Sequence, residues 1–304
     1  MKNMNQLIEK INKLKKDRKA IILVHNYQLP EVQDIADFRG DSLELSRMAA
    51  ETDAKVVIFC GVHFMAETAS ILCPDKIILM PDILSGCPMA NMITAEDLRE
   101  LKDRHRNATV VGYVNTSAEV KAELDVCCTS TNAVAVVNSL KSAEEVIFVP
   151  DKYLADFVSK KTGRRLISWD GYCPTHVKIL PEDIVRQVRL HPNAKVIVHP
   201  ECIPEVIDLA DEALSTSRMC KYAKESAAKE FIIGTEIGII YRLQQDNTGK
   251  KFYPASELSI CPNMKRITLK KVLWSLEELK EEVRVPDDIR KRAKKSIDRM
   301  LEIK

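Results

Sequence analysis

The sequence predicts an α/β protein made of three similar parallel-sheet αβα units, arranged about a pseudo-threefold axis with a central site. The first observation behind this is repetition. Residues 21–42 (IILVHNYQLPEVQDIADFRGDS) recur as residues 110–130 (VVGYVNTSAEVKAELDVCCTS) and again as residues 196–216 (VIVHPECIPEVIDLADEALST). The second is that each copy opens on a short apolar, β-branched run that breaks into polar residues, the pattern of a buried strand ending in a loop. The third is the alternation of strand and helix patterns along the chain, which implies parallel sheets with helices on both faces and right-handed crossovers. In such sheets ligands bind beyond the carboxyl ends of the strands.

The register between copies is strict. Counting from His25, Tyr113 and His199, a Glu-Val pair falls six residues on, an Asp twelve on (Asp37, Asp125, Asp211) and a hydroxyl seventeen on (Ser42, Ser130, Thr216). A Cys-Pro pair follows in each copy, with Cys87, Cys173 and Cys261 standing 62, 60 and 62 residues from those starting points. A period near 86 residues with polar groups held in register is an internal triplication. It divides the chain into residues 1–86 plus 266–304, residues 87–172 and residues 173–265.

Taken in order, residues 5–18 place Leu7, Ile8, Ile11 and Leu14 on one face of a helix that feeds the first repeated strand. Helix, strand 55–59, helix 62–72 and strand 76–80 then lead to Cys87. Thr94 and Asp97 form a capping-box variant that opens the next helix. The second copy continues with helix 131–140, strand 145–149, helix 153–162 and strand 165–169. Pro181 starts a helix in the first turn, where its missing N–H costs nothing. The third copy gives strand 230–233, helix 237–245 and strand 251–253. Two helices, 268–282 and 286–302, close the chain, the last one expected to pack on the first unit with its basic face in water.

Composition excludes several classes. Net charge is +2 from 46 basic and 44 acidic residues, so no bulk field favours nucleic acid or a membrane surface. No apolar run is long enough to span a bilayer, and the amino terminus lacks a signal peptide's apolar core. Nine cysteines, an odd number without regular pairing, fit a reducing cytoplasm better than a disulfide framework. No GxGxxG or GxxxxGK[ST] phosphate loop is present in the sequence.

Ser42, Ser130 and Thr216 each precede a helical segment. They read as N-caps, and equally as a seat for a carboxylate or phosphate beside free amides. Cys60, Cys73, Cys127, Cys128, Cys202 and Cys220 have no counterparts in the other copies and read as small buried hydrophobes. Cys87, Cys173 and Cys261 share a repeat position and a following Pro, which would put each sulfur at a helix N-terminus where thiolate is favoured. Three thiolates meeting on an axis call for a cation. A zinc completed by His176 fits that demand, and so does a 4Fe–4S cluster, which on three cysteines keeps one iron open as a Lewis acid. A catalyst, a non-catalytic cluster sensor and a zinc-stabilised binding module are all compatible with such a centre. Polar residues that differ among the three copies favour the catalyst.

The segments HNYQLPEVQDIADFRGDS, CPMAN, YVNTSAEVKA, CTSTNAV, HPEC, STSRM, GTEIG and CPNMK resemble, in order and spacing, the motifs of the quinolinate synthase family. The resemblance runs from about residue 21 to 264. It implies condensation of iminoaspartate with dihydroxyacetone phosphate to quinolinate on the route to NAD, in the cytoplasm. It also implies a 4Fe–4S cluster on Cys87, Cys173 and Cys261, and a functional link to an iminoaspartate-producing enzyme. Carried over residue by residue, it matches His25, Tyr27, Ser42, Tyr113, Asn115, Ser130, His199, Glu201 and Thr216. For the substrates so implied, Ser42, Ser130 and Thr216 are expected to grip carboxylates and His25 and His199 carboxylate or phosphate oxygens. Tyr27 and Glu201 are expected to form the acid–base pair, with the catalytic Tyr113 and Asn115 positioning the intermediates. Leu214 stands where the family often has Gly, and Cys261 lacks the nearby second Cys of some relatives, so no dithiol switch is expected.

Overall fold

Strands of four to six largely β-branched residues begin each copy, and a computed structural model describing residues 2–303 places them at the centre of three sheets. The first copy supplies β1 (Ala20–His25), β2 (Phe38–Gly40), β3 (Val56–Cys60) and β4 (Ile77–Leu79). The second supplies β5 (Thr109–Tyr113), β6 (Val126–Cys128), β7 (Val146–Val149) and β8 (Ile167–Ser168). The third supplies β9 (Lys195–Val198), β10 (Glu212–Ala213), β11 (Glu230–Gly234) and β12 (Lys251–Pro254). The sheets run β2-β1-β3-β4, β6-β5-β7-β8 and β10-β9-β11-β12, one strand order written three times, with every pairing parallel. Two compact units contain them: residues 1–87 with 261–290 hold the first sheet, and residues 88–260 with 291–304 hold the other two.

Three strands go beyond those the sequence predicts. β2, β6 and β10 fall between the repeated Asp and the repeated hydroxyl and are only two or three residues long (FRG, VCC, EA). Runs that short carry no alternation to read. They exist because the parallel neighbour supplies a ladder, with Leu23, Val24 and His25 opposite Phe38, Arg39 and Gly40.

The repeated residues of each copy explain the repeat. Val32, Val120 and Val206 are fully buried beneath their sheets, while Glu31, Glu119 and Glu205 sit in the first turns of the short helices that carry them. Burying a Val side chain is worth about 1.5–3 kcal/mol. The repeated aspartates close the chain back onto the central strand. Asp37 Oδ2 accepts from the Ile22 N–H at 2.8 Å, Asp125 Oδ2 from Val110 at 2.7 Å and Asp211 Oδ2 from Val196 at 2.8 Å. In return, each aspartate's own N–H donates to the carbonyl of that same strand residue, at 3.0, 3.1 and 2.9 Å.

In the first unit the helix Lys2–Asp17 lays Leu7, Ile8, Ile11 and Leu14 against β1 and the helix Leu269–Glu278, in one core with Ile22, Val24, Ile58 and Leu276. The final helix, Asp287–Glu302, differs from its expected seat. Its stretch beyond residue 290 packs on the second copy: Ser296 Oγ donates to the Lys121 carbonyl at 2.9 Å and lies 3.4 Å from Cys127 Sγ, and Arg292 pairs with Glu123 at 3.0 Å. Amphipathy shows which face a helix buries, here Ala293, Ser296, Ile297 and Met300, but not what that face meets. No helix among the described residues is long and apolar enough to cross a membrane.

The aspartate closure is testable. Asp125→Ala removes a charged acceptor from a strand amide and is expected to destabilise by about 1.5–3 kcal/mol, read as a lower urea midpoint, whereas Asp125→Asn keeps an acceptor and loses much less. Equal midpoints for Asp125→Ala and wild type would show that the bond contributes nothing.

Candidate active site

The strand order decides where functional side chains gather. With the order 2-1-3-4, the chain leaves the first strand toward one edge of the sheet and comes back on the other side. It is at such a reversal, beyond the carboxyl ends of the two central strands, that parallel sheets bind their ligands. His25 ends β1, Tyr113 ends β5 and His199 follows β9.

The three cysteine loops are held alike. The His63 N–H donates to the Ser85 carbonyl at 2.9 Å, Lys152 to Gly171 at 2.9 Å and Ile237 to Ser259 at 3.1 Å. Each of those carbonyls lies two residues before its cysteine. None of the nine cysteines is in a disulfide. Cys87, Cys173 and Cys261 are partly exposed, while Cys60, Cys73, Cys127, Cys128 and Cys202 are buried. Burial pushes the Cys60 and Cys202 thiols well above their ordinary range, so neither is a ready thiolate. Cys220, partly exposed, departs from the expectation that all six cysteines outside the repeat are buried. A second correction concerns the sulfurs' surroundings. Each Cys-Pro leads into a single 3₁₀ turn, at Met89–Asn91, His176–Lys178 and Met264–Arg266, and not into an α-helix. So few peptides sum to little dipole, and the helix-terminus argument for thiolate does not apply.

The repeated hydroxyls are not the N-caps. Asp41 caps the helix Ser42–Glu51, accepting from Leu43 and Glu44, and Ser215 caps Thr216–Glu225. In the second copy Asn132 Oδ1 accepts from the Thr129 N–H at 2.8 Å, and the helix begins only at Ala133. Ser42 and Thr216 are thus first helical residues, relieved of capping, and Ser130 lies in the loop before its helix. Leu214, in place of a Gly, sits comfortably: it is not among the residues with positive φ.

In the first unit His25 is buried with Nδ1 accepting from the Tyr27 N–H at 3.2 Å, and the Tyr27 ring meets it edge-on at 4.7 Å. In the second unit His199 repeats the arrangement, Nδ1 accepting from the Glu201 N–H at 3.3 Å. An Nδ1 that accepts leaves Nε2 as the donor, so both imidazoles present an Nε2–H. That of His199 lies 3.2 Å from Ser130 Oγ.

Glu201 is the centre of the second unit's site. Tyr113 donates its hydroxyl to Glu201 Oε1 at 2.6 Å, and His176 Nδ1 lies 2.9 Å from Oε2. His176 Nε2 is 2.8 Å from Thr235 Oγ1, and its ring stacks on His199 with centroids 4.8 Å apart. The chain Thr235–His176–Glu201–Tyr113 is therefore continuous and buried. Asn115, also expected here, keeps a buried Oδ1 without a hydrogen-bond partner. Cys173 Sγ, a His176 nitrogen and a Glu201 oxygen lie within 4.8 Å of one another, a sulfur, nitrogen and oxygen set suited to a transition metal.

Burial opposes ionisation of Glu201, but the charges of His176 and His199 and the hydrogen bonds from His176 and Tyr113 outweigh it and hold the carboxyl well below the usual range. Asp151 goes the other way, raised by burial and then by the charge of Glu201. His199 is pulled from 6.5 down to about 3, chiefly by burial. Two of these groups were not singled out in the sequence. Asp151 and Thr235 both follow the ends of central strands, β7 and β11, in the position the strand order makes functional. The sequence offers His176 only as a fourth ligand for zinc.

Acid sensitivity follows. Below pH 6.5 the unfolded chain protonates His199 while the fold refuses the proton until about pH 3, so stability is whole above pH 6.5 and falls as the pH drops. Glu201, lowered from 4.5, loses its contribution in the same direction at still lower pH. His199→Asn is expected to flatten the decline in urea midpoint of metal-free protein between pH 6.5 and 5, and an unchanged slope would contradict the assignment.

A family model described as quinolinate synthetase A protein (NadA) matches residues 9–302. A quinolinate synthase of Dehalococcoides mccartyi (strain CBDB1) is 59% identical over 294 residues, covering 97% of each chain. One from Methanosarcina barkeri is 56% identical and one from Thermodesulfovibrio yellowstonii 54%, each over 299 residues and 98% of both chains. With identity at that level along nearly its whole length, the chain belongs to the quinolinate synthase family.

Proposed function

We propose that the protein is a quinolinate synthase that condenses iminoaspartate with dihydroxyacetone phosphate, releasing phosphate and water, within the cytoplasmic synthesis of NAD. An iminoaspartate-producing enzyme would supply the first substrate. Cys87, Cys173 and Cys261 would together hold a 4Fe–4S cluster about a pseudo-threefold axis relating the three copies. Bound there, such a cluster would supply Lewis-acid chemistry at an iron without a protein ligand. What supports the donor set is the common build of the three loops and the partial exposure of these three sulfurs.

One observation carries the reading of chemistry: the buried chain Thr235–His176–Glu201–Tyr113 beside Cys173. Condensation and ring closure demand that protons be taken from carbon and given to departing hydroxyls. Glu201, which already accepts the Tyr113 hydroxyl, would take up the proton that Tyr113 gives as that hydroxyl gains one from the substrate, and His176 would hold the carboxylate in place. Tyr27 is the acid of the first copy. The Nε2–H groups of His25 and His199 would hold carboxylate or phosphate oxygens, with Ser42, Ser130 and Thr216 as further donors. Asn115 brings a carbonyl oxygen still able to accept.

A second reading is a mononuclear metal on Cys173, His176 and Glu201, favoured by their 4.8 Å grouping. Chemical analysis separates the two. Protein purified without oxygen should carry iron and acid-labile sulfide in equal amounts, and Cys87→Ser, Cys173→Ser and Cys261→Ser should each lose both, while Cys220→Ser keeps them. Metal without sulfide, lost only with Cys173, would establish the mononuclear site instead.

Glu201→Gln keeps the volume and removes the titrating group. It is expected to retain iron and sulfide while single-turnover quinolinate formation falls by about two to four orders of magnitude. Product formation at the wild-type rate across the pH range would reduce Glu201 to a positioning group.

A further inference from the structure

The segment Cys261-Pro262-Asn263-Met264-Lys265 holds more than a sulfur. Within the first unit, Asn263 Nδ2 donates to the Gly86 carbonyl at 2.8 Å. That carbonyl belongs to the residue immediately before Cys87, and the donor stands two residues after Cys261. One side-chain bond therefore joins two cysteine loops that are 174 residues apart in the chain. The next two residues reach the remaining loop of the same unit. Met264 Sδ receives the Gln28 amide at 3.5 Å, and Lys265 Nζ donates to the Tyr27 carbonyl. Gln28 is itself buried, and Gln33 Nε2 donates to its carbonyl at 2.9 Å.

The position is not repeated. Two residues after the cysteine the first copy has Met89 and the second Thr175. Every cysteine loop already has the same backbone pin at its front, two residues before the sulfur, so the amide of Asn263 adds something that pin does not. The pin fixes a cysteine loop to the segment that follows the third strand of its own copy. Asn263 fixes one loop to another.

We infer that Asn263 is a positioning residue that registers the Cys87 loop against the Cys261 loop, so that the two sulfurs are pre-set to ligate one group. Pre-setting matters because ligands held in place before binding do not lose their freedom when the group arrives. The inference rests on the reading that these two cysteines share a cluster, but the contact itself does not.

The test therefore has two arms. In the first, the full-length metal-free protein in a Cys173→Ser, Cys220→Ser background is treated with dibromobimane, which fluoresces only when it bridges two nearby thiols. Adding Asn263→Asp, the same shape without a donor, should lower the initial rate of Cys87–Cys261 bridging by about three- to tenfold, the scale on which one hydrogen bond shifts a local equilibrium. Asn263→Gln, which keeps the donor, should recover part of it. In the second arm, Asn263→Asp in the otherwise wild-type chain should lose iron to a chelator faster by a similar factor. Bridging at the parent rate in Asn263→Asp overturns the inference. So does a loss of bridging that only follows a lower unfolding midpoint, equal in the Asp and Gln variants. If wild-type protein holds no iron and sulfide yet Asn263→Asp still loses bridging, the cluster reading fails and the positioning role stands.

Discussion

Parallel pairing makes every strand of a sheet run in one direction, and each of the three sheets here obeys that throughout. Consecutive strands then cannot be joined by tight hairpins, and the chain must travel back across a face each time. All loops that leave the strands therefore emerge at one end, and all loops that enter them lie at the other. The entering end is where the repeated aspartates close on Ile22, Val110 and Val196. The leaving end carries His25, His199, the repeated hydroxyls and Cys87, Cys173 and Cys261. Strand direction alone thus separates the closure of each copy from the residues proposed to do its chemistry. The repeat can change its chemistry from copy to copy without touching the closure that keeps each copy folded.

At the leaving end of the second unit, the dominant energetic fact is a carboxylate removed from water. An isolated buried charge costs far more than a domain can spare, so Glu201 must be compensated locally. Tyr113 and His176 do this from two different copies of the repeat, and Thr235 holds His176 from behind. The same charge acts on its neighbours. It pushes the Asp151 carboxyl further up after burial has already raised it. Two buried carboxyl groups thus have pKa values displaced in opposite directions by one shared environment.

The triplication also shows how one backbone motif serves unlike side chains. In the first and third copies a histidine at the strand end receives the N–H of the residue two further on, which sets its tautomer without any help from a carboxylate. The second copy has Tyr113 at that position and spends its hydroxyl on Glu201 instead. The backbone supplies position, and the residue type supplies the donor or acid.

Periodicity alone was enough to determine the triplication, the central strands, the two faces of helices around them and the three distinguished cysteines, because these rest on local pattern and on register between copies. The register set His199 and Tyr113 apart by position, and the family resemblance pointed to Glu201. What the register could not supply was anything set by partners distant in the chain. β2, β6 and β10 are too short to announce themselves and exist only as rungs beside a neighbour. Asp41 and Ser215 take the capping role that Ser42 and Thr216 were equally placed to fill, a choice made by one residue of helix phase. The final helix declares its apolar face in sequence, but its seat on Lys121 and Cys127 depends on the shape it meets. Asp151, His176 and Thr235 join the site only because the strand ends of two copies are brought together, and the bond from Asn263 to Gly86 crosses most of the chain. Tertiary structure decided these because burial, and the compensation it demands, exists only once distant segments have packed.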